Sequence, residues 1–257
     1  MAMPLQIVTV PCLADNYAFL LHDAATGATA VVDVPDPEPI QAELAARGWT
    51  LTDILITHHH WDHIDGVAPL VEATGAKTWG NAADAGRLPP LDHAINPGDT
   101  VAIGSESGTV IEVSGHTVGH IAFHFPASKA VFTADSLMAL GCGRLFEGSP
   151  EMMHASLARL AALPPETLVC SGHEYTASNA KFALTIDPGN PALISRSKAI
   201  ETARAEGRPT VPSTLQEELD TNPFLRAHDP AIRAQLGLET ADDVAVFTEI
   251  RARKDRF

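Results

Sequence analysis

The decapeptide THHHWDHIDG, Thr57 to Gly66, packs four histidines and two aspartates into ten residues. Neutral imidazoles cost free energy to bury and protonated ones repel one another, so this crowding makes physical sense when a cation gathers the rings. The run that enters it, DILIT at 53–57, is β-rich. If the chain stays extended past Thr57, His58, His60 and Asp62 point to one side while His59 and Trp61 point to the other. His63 joins the first side only after a turn. Such a layout suits two neighbouring metal ions, one on the HxH pair and one on Asp62 and His63. A helical alternative, with His59 and His63 four apart as in half of an HExxH site, fails because no Glu follows His59 and a β-branched run leads straight into the segment.

The pattern of a β-rich run ending in a metal-capable side chain returns three times. TVIEVSG is followed by His116, AVFTA by Asp135 and TLVCSG by His173. In layered α/β proteins the loops at one sheet edge converge, so these residues are expected around the same point as His58. Asp135 is the natural bridge, because a carboxylate has two oxygens to share. Seven ligands for two ions leave positions for water, and a water shared by two divalent cations is acidic enough to be hydroxide near neutral pH. Imidazole and carboxylate donors without thiolate leave zinc, iron and manganese all compatible, and zinc is the expected one of the three. His22, His93, His124, His154 and His228 are isolated and read as core or surface residues. For His59 and His120 two readings stay open, orientation of a ligand from behind or a purely structural role.

Around this cluster the chain alternates strands and helices. QIVTV, YAFLL, TAVVDV, IAFHF and AVFTA read as strands; PDPEPIQAELAARG, GVAPLVEATG and SPEMMHASLARLAALP read as helices, the last capped by Ser149 with Pro150 in its first turn. After about Tyr175 the strands are expected to stop. NPALISRSKAIETARAEG opens on Asn190 and Pro191, STLQEEL offers a Ser213/Gln216 capping box, DPAIRAQLG runs from Asp229 to Gly237, and a last helix starts near Thr240. The fold class is therefore α/β with an all-helical C-terminal domain, divided as a catalytic domain at 1–174 and a helical domain at 175–257.

Composition narrows the partners. The chain has 257 residues, 45% of them hydrophobic, enough for a proper core. Its formal charge of −15 disfavours broad binding to nucleic acid or anionic membrane. Cys12, Cys142 and Cys170 form no CxxC pair, which fits a reducing cytoplasm. No Lys or Arg precedes Arg47, the wrong start for a secretory signal, and no apolar run approaches the ~20 residues needed to cross a bilayer.

THHHWDH, followed in order by SGHTVGH, FTADSL and SGHEYT, resembles the metallo-β-lactamase superfamily. PCLADNY (11–17), GCGRLFEG (141–148), GHEYT (172–176), PGNPA (188–192), PTVPSTLQEEL (209–219), NPF (222–224) and the terminal RKDRF resemble, more narrowly, the glyoxalase II or hydroxyacylglutathione hydrolase family. The resemblance covers essentially the whole chain. It implies an αββα sandwich closed by the helical tail, and a cytoplasmic, monomeric thioesterase of methylglyoxal detoxification that splits S-D-lactoylglutathione into glutathione and D-lactate. It further implies His58, His60 and His116 on one ion, Asp62, His63 and His173 on the other, and Asp135 between them. The attacking group would be metal-bound hydroxide, with Asp62 orienting it or taking its proton.

For the substrate the resemblance points to Arg144, Tyr175, Arg251 and Lys254, and cations are what the carboxylates of glutathione require on an acidic protein. Helix-dipole complementarity explains Arg251 and Lys254 equally well, since acids open that helix and bases end it. Phe146 departs from the family pattern, which often has a tyrosine hydroxyl there. Within the superfamily, a β-lactamase would usually have cysteine in place of Asp135, and a ribonuclease would want a basic surface. A glutathione persulfide dioxygenase with a single iron should lack the tail ending in RKDRF. A non-enzymatic metal-binding module would have no use for a complete ligand set with room for water.

Overall fold

NYAFLLH, Asn16–His22, is buried at all seven positions, the signature of a strand covered on both faces. The computed structural model describes residues 4–257, and these divide into two units. The first comprises the chain through Val113 together with Gly119–Thr133. In it β1 (Gln6–Cys12), β2 (Asn16–His22) and β3 (Thr29–Val32) pair antiparallel. Helix α1 (Pro37–Arg47) follows, capped by Asp36 and stopped by Gly48 at a φ of 67°. Then come β4 (Asp53–Leu55), the single turn α2 (Trp61–Ile64), α3 (Val67–Thr74), β5 (Lys77–Asn81) and β6 (His93–Ile95). Strands β3 to β6 run parallel, so one six-stranded sheet is antiparallel at one side and parallel at the other.

Ile40 and Leu44 of α1 and Val67 and Leu70 of α3 pack with Val10, Leu20, Val31 and Ile54 over one face of this sheet. The opposite face meets a meander of β7 (Thr100–Ile103), β8 (Glu106–Glu112), β9 (Ile121–Phe125) and β10 (Ala130–Ala134). Phe19 of β2 stands edge-on to Phe132 of β10 with ring centroids 5.6 Å apart, and Phe132 in turn meets Phe125. Helix layer, sheet, sheet is thus present within this unit.

The second unit comprises Ser114–Val118 and Ala134–Phe257. It holds a short hairpin of β11 (Leu137–Met138) and β12 (Gly141–Cys142), then α4 (Pro150–Ala161), β13 (Leu168–Ser171), α5 (Thr176–Ile186) and α6 (Pro191–Ala205). After these come β14 (Ser213–Thr214), α7 (Leu215–Thr221), α8 (Pro230–Leu236) and α9 (Asp243–Arg256). Caps at Ser149, Asn190 and Asp229 stand where the sequence places them.

Four expectations change. The turn after the HxH pair begins at Trp61, so Asp62 is already helical and the extended segment ends at His60. The tail is not free of strand, because Ser213 and Thr214 pair with β13. The capping box is formed by Thr214 with Glu217, one residue later than expected, since Ser213 instead donates to Glu218 Oε1 at 2.6 Å. Asp242 caps the last helix, which starts three residues after Thr240. Strands β5, β6 and β7 and the β11–β12 hairpin had no sequence signal strong enough to mark them.

Glu218 explains why the LQEEL and NPF motifs sit where they do. Its fully buried carboxylate accepts from Leu140 N at 2.8 Å, Asn222 Nδ2 at 3.1 Å and Arg196 Nη2 at 2.5 Å. Asn222, also buried, donates to the carbonyls of Met138 and Gly141 at 3.1 and 3.0 Å. Two side chains of the helical tail therefore fix the hairpin that leads to Arg144. Glu218→Ala strands Arg196, whose side chain is only 10% exposed; it should cost about 3 kcal/mol, read as a lower denaturant midpoint in the full-length protein.

Candidate metal centre

Asp33, just after β3, organises the HxH segment. Its Oδ1 accepts from Thr57 N at 2.9 Å, and its Oδ2 lies 2.8 Å from both Thr57 Oγ1 and His63 Nδ1. Asp33, His58 and His63 have ligand atoms within 4.8 Å of one another, but those hydrogen bonds occupy Asp33 as a buttress. Holding Nδ1 of His63 leaves Nε2 as the nitrogen that could take a metal. His58 is treated alike, with Thr57 Oγ1 at 3.0 Å from Nδ1. Its Nε2 stands 3.2 Å from His60 Nδ1, close to the ~3.3 Å that separates two nitrogens on one tetrahedral zinc. Asn16 donates to the carbonyl and to Oδ2 of Asp62 at 3.0 and 3.3 Å, and that Oδ2 is 4.0 Å from His63 Nε2. The HxH pair and the Asp62–His63 pair are thus both formed in the first unit.

The second unit holds a donor set of its own. Oδ2 of Asp135 lies 3.4 Å from Nε2 of His116 and 3.4 Å from Nε2 of His173. A carboxylate oxygen equidistant from two imidazoles is the layout of a bridge. His116 Nδ1 is 2.7 Å from the carbonyl of Arg144, which fixes its tautomer for ligation through Nε2. All three donors are buried. Ala134, immediately before Asp135, holds a φ of 41°, and its carbonyl accepts from Gly172 N at 3.0 Å beside His173. A Cβ at Gly143 would stand 1.9 Å from the Asp135 carbonyl and 2.9 Å from His116 Nδ1, so only glycine lets the GCGR segment approach. Hard oxygen and borderline nitrogen donors at these spacings fit divalent cations.

The remaining residues fall into place. His120 is buried and stacks on His58 at 4.5 Å, so it backs that ring. His22 bonds Thr29 and stacks on Trp49, and His93 stacks on Trp79, as the structural reading of isolated histidines requires. Tyr175 stacks on His173 at 4.6 Å, and Phe146 meets His116 edge-on at 5.3 Å with its ring largely exposed. Arg144 is exposed and 3.6 Å from Asp255. Arg251 turns inward instead, donating to the Cys142 carbonyl at 3.0 Å and to Asp255 at 2.7 Å while lying over Phe224. Lys254 lies over the Phe182 and Phe257 rings, and burial, then the Arg251 cation, lowers its pKa. Sequence reasoning missed Asp33, Asn16 and Gly143, although Asp33 follows an apolar strand just as Asp135 does.

Residues 16–173 match the family model described as metallo-beta-lactamase superfamily, and residues 174–257 match the one described as hydroxyacylglutathione hydrolase C-terminus. A protein of Jannaschia sp. named hydroxyacylglutathione hydrolase is 73% identical over 98% of each chain. One of the same name from Cereibacter sphaeroides is 65% identical over 99% of this chain and all of its own. The chain belongs to the hydroxyacylglutathione hydrolase family. Members of this family carry the metallo-β-lactamase fold, which here has the helical tail appended. The crystal structure of ETHE1 from Myxococcus xanthus is similar in fold, with a TM-score of 0.66, 25% identity and 98% of both chains covered.

The cysteines stand apart from the centre's chemistry. All three are buried and outside any disulfide, and burial raises the pKa of Cys12 and Cys142 to about 11 and that of Cys170 as well. Iodoacetamide at neutral pH should label none of them in the native protein and all three in denaturant, counted by mass spectrometry. Gly143→Ala should abolish stable uptake of metal, read by elemental analysis of the purified protein.

Proposed function

We infer that the chain hydrolyses S-(2-hydroxyacyl)glutathione thioesters, taking S-D-lactoylglutathione to glutathione and D-lactate in methylglyoxal detoxification. The helical tail carries the choice of this reaction over others of the same fold, because its family model is specific to these hydrolases. Our reading gives His58, His60 and His116 to one ion, Asp62, His63 and His173 to the other, and Asp135 to both, with zinc as the metal. The bridge-like spacing of Asp135 supports it. We also propose a functional division into a catalytic part at 1–174 and a substrate-binding part at 175–257, in a cytoplasmic protein. Buried cysteines outside any disulfide fit that compartment, and among the described residues no helix is long and apolar enough to cross a membrane.

Two divalent ions supply an acidified water and polarise the thioester carbonyl when bound. The protein's own groups do the rest. Asp62, steadied by Asn16, orients the nucleophile and takes its proton. Asp135 keeps His116 and His173 in register. Arg144 and Lys254 meet the carboxylates of glutathione, Tyr175 and Phe146 flank the thioester, and Arg251 holds the Cys142 carbonyl and Asp255 so that Arg144 is presented. Phe146 offers an aromatic face and no hydroxyl.

Loss of thioester absorbance with S-D-lactoylglutathione should be rapid in metal-reconstituted protein, abolished by chelator and absent in Asp135→Ala. No turnover with zinc, iron or manganese loaded would overturn the reading. Arg144→Ala should raise KM about tenfold with little change in kcat, the mark of lost uniform binding. Arg251→Ala should lower the melting temperature as well. Because its pKa is lowered, Lys254 loses its charge before an ordinary lysine does, so KM should climb with rising pH earlier than loss of an unperturbed lysine would make it.

A further inference from the structure

His59, the middle histidine of the triplet, is outside the proposed ligand set, and its ring is nevertheless pinned. Its Nδ1 lies 2.9 Å from Oδ2 of Asp84, and Oδ1 of Asp84 accepts from Arg87 Nε at 2.6 Å. Only 3% of the Asp84 side chain is exposed. A carboxylate buried with a half-exposed arginine gives up much of its hydration, so the pair is a poor device for stability alone. The turn that carries it is itself braced. Asn81 Oδ1 accepts from Ala83 N at 3.0 Å, and Asn81 Nδ2 donates to the Gly119 carbonyl at 2.8 Å. Gly119 presses on Asp84 so closely that a Cβ there would stand 2.6 Å from the carboxylate carbon. His120 follows directly, and its ring is the one stacked on His58.

One turn, residues 81–87, therefore touches the HxH segment in two ways: through His59 between the two ligands, and through the strand start that carries the backing ring of His58. We propose that Asp84 is a positioning residue for the HxH ligand pair. By fixing the side chain between His58 and His60 it sets the backbone that holds their nitrogens 3.2 Å apart. The inference rests on His58 and His60 being ligands, as argued above.

The test compares full-length wild type, Asp84→Asn and Asp84→Ala for zinc stoichiometry and affinity by competition with a chromophoric chelator, apo-protein melting, and kcat and KM. Outer partners of metal ligands typically alter affinity 10- to 100-fold, and one step further out the lower end applies. Asp84→Ala should weaken one of the two zinc ions about tenfold and leave the other unchanged. Its KM should be unaltered, and excess zinc should restore kcat. Asp84→Asn, which keeps the acceptor for His59, should retain most of the affinity. Wild-type affinity for both ions in Asp84→Ala would overturn the proposal, as would equal weakening of both ions in step with apo-protein melting. If Asp84→Ala fails to fold, His59→Gln takes its place, and wild-type affinity there overturns the proposal equally. Wild-type protein that takes up no zinc at all would instead overturn the ligand reading on which this depends.

Discussion

Everything about the histidine cluster depends on Asp33 accepting three hydrogen bonds from the segment it faces. Like donors crowded into ten residues have no reason to converge by themselves, since each ring prefers water. A buried carboxylate at the end of β3 supplies that reason. It ties the backbone of Thr57 to the adjacent strand end and, through His63, stops α2 from rotating as a rigid turn. The parallel pairing of β3 with β4 brings Asp33 and Thr57 side by side, so the sheet and the cluster are one construction.

In the second unit the corresponding role belongs to the helical tail. Glu218 and Asn222 hold the 138–142 hairpin from behind, Gly143 lets the next residues approach Asp135, and the Arg144 carbonyl orients His116. The tail thus sets the geometry of donors more than 70 residues upstream. That role accounts for motifs as plain as NPF and LQEEL, whose residues carry no obvious chemistry.

The His and Asp clusters were legible in the sequence because four β-rich runs each end in His or Asp. The helices after residue 175 were legible through Ser, Asn, Asp and Pro at their starts. Other features had no such mark. Asp33, Asp84 and Asn16 read as ordinary turn and strand-end residues, because a short polar side chain in a loop looks the same whether it caps a turn or holds a histidine. The capping box slipped by one position, since Ser213 and Thr214 are chemically equivalent and only the demand of Glu218 for the serine decides between them. Arg251 and Lys254 were expected to share one helix face, yet Arg251 turns to the Cys142 carbonyl and Phe224 while Lys254 lies over Phe182 and Phe257.

Ala134 and Asp33 occupy left-handed backbone without being glycine, at φ of 41° and 57°. Each costs of order 1 kcal/mol or more and persists only because its surroundings over-determine it. The bonds that do so, from Gly172 to the Ala134 carbonyl and from Thr57 and His63 to Asp33, run between protein atoms alone. Both strained positions are thus held by donors from the end of another segment, so losing one such donor would release a backbone bend that no side chain at 33 or 134 could maintain alone.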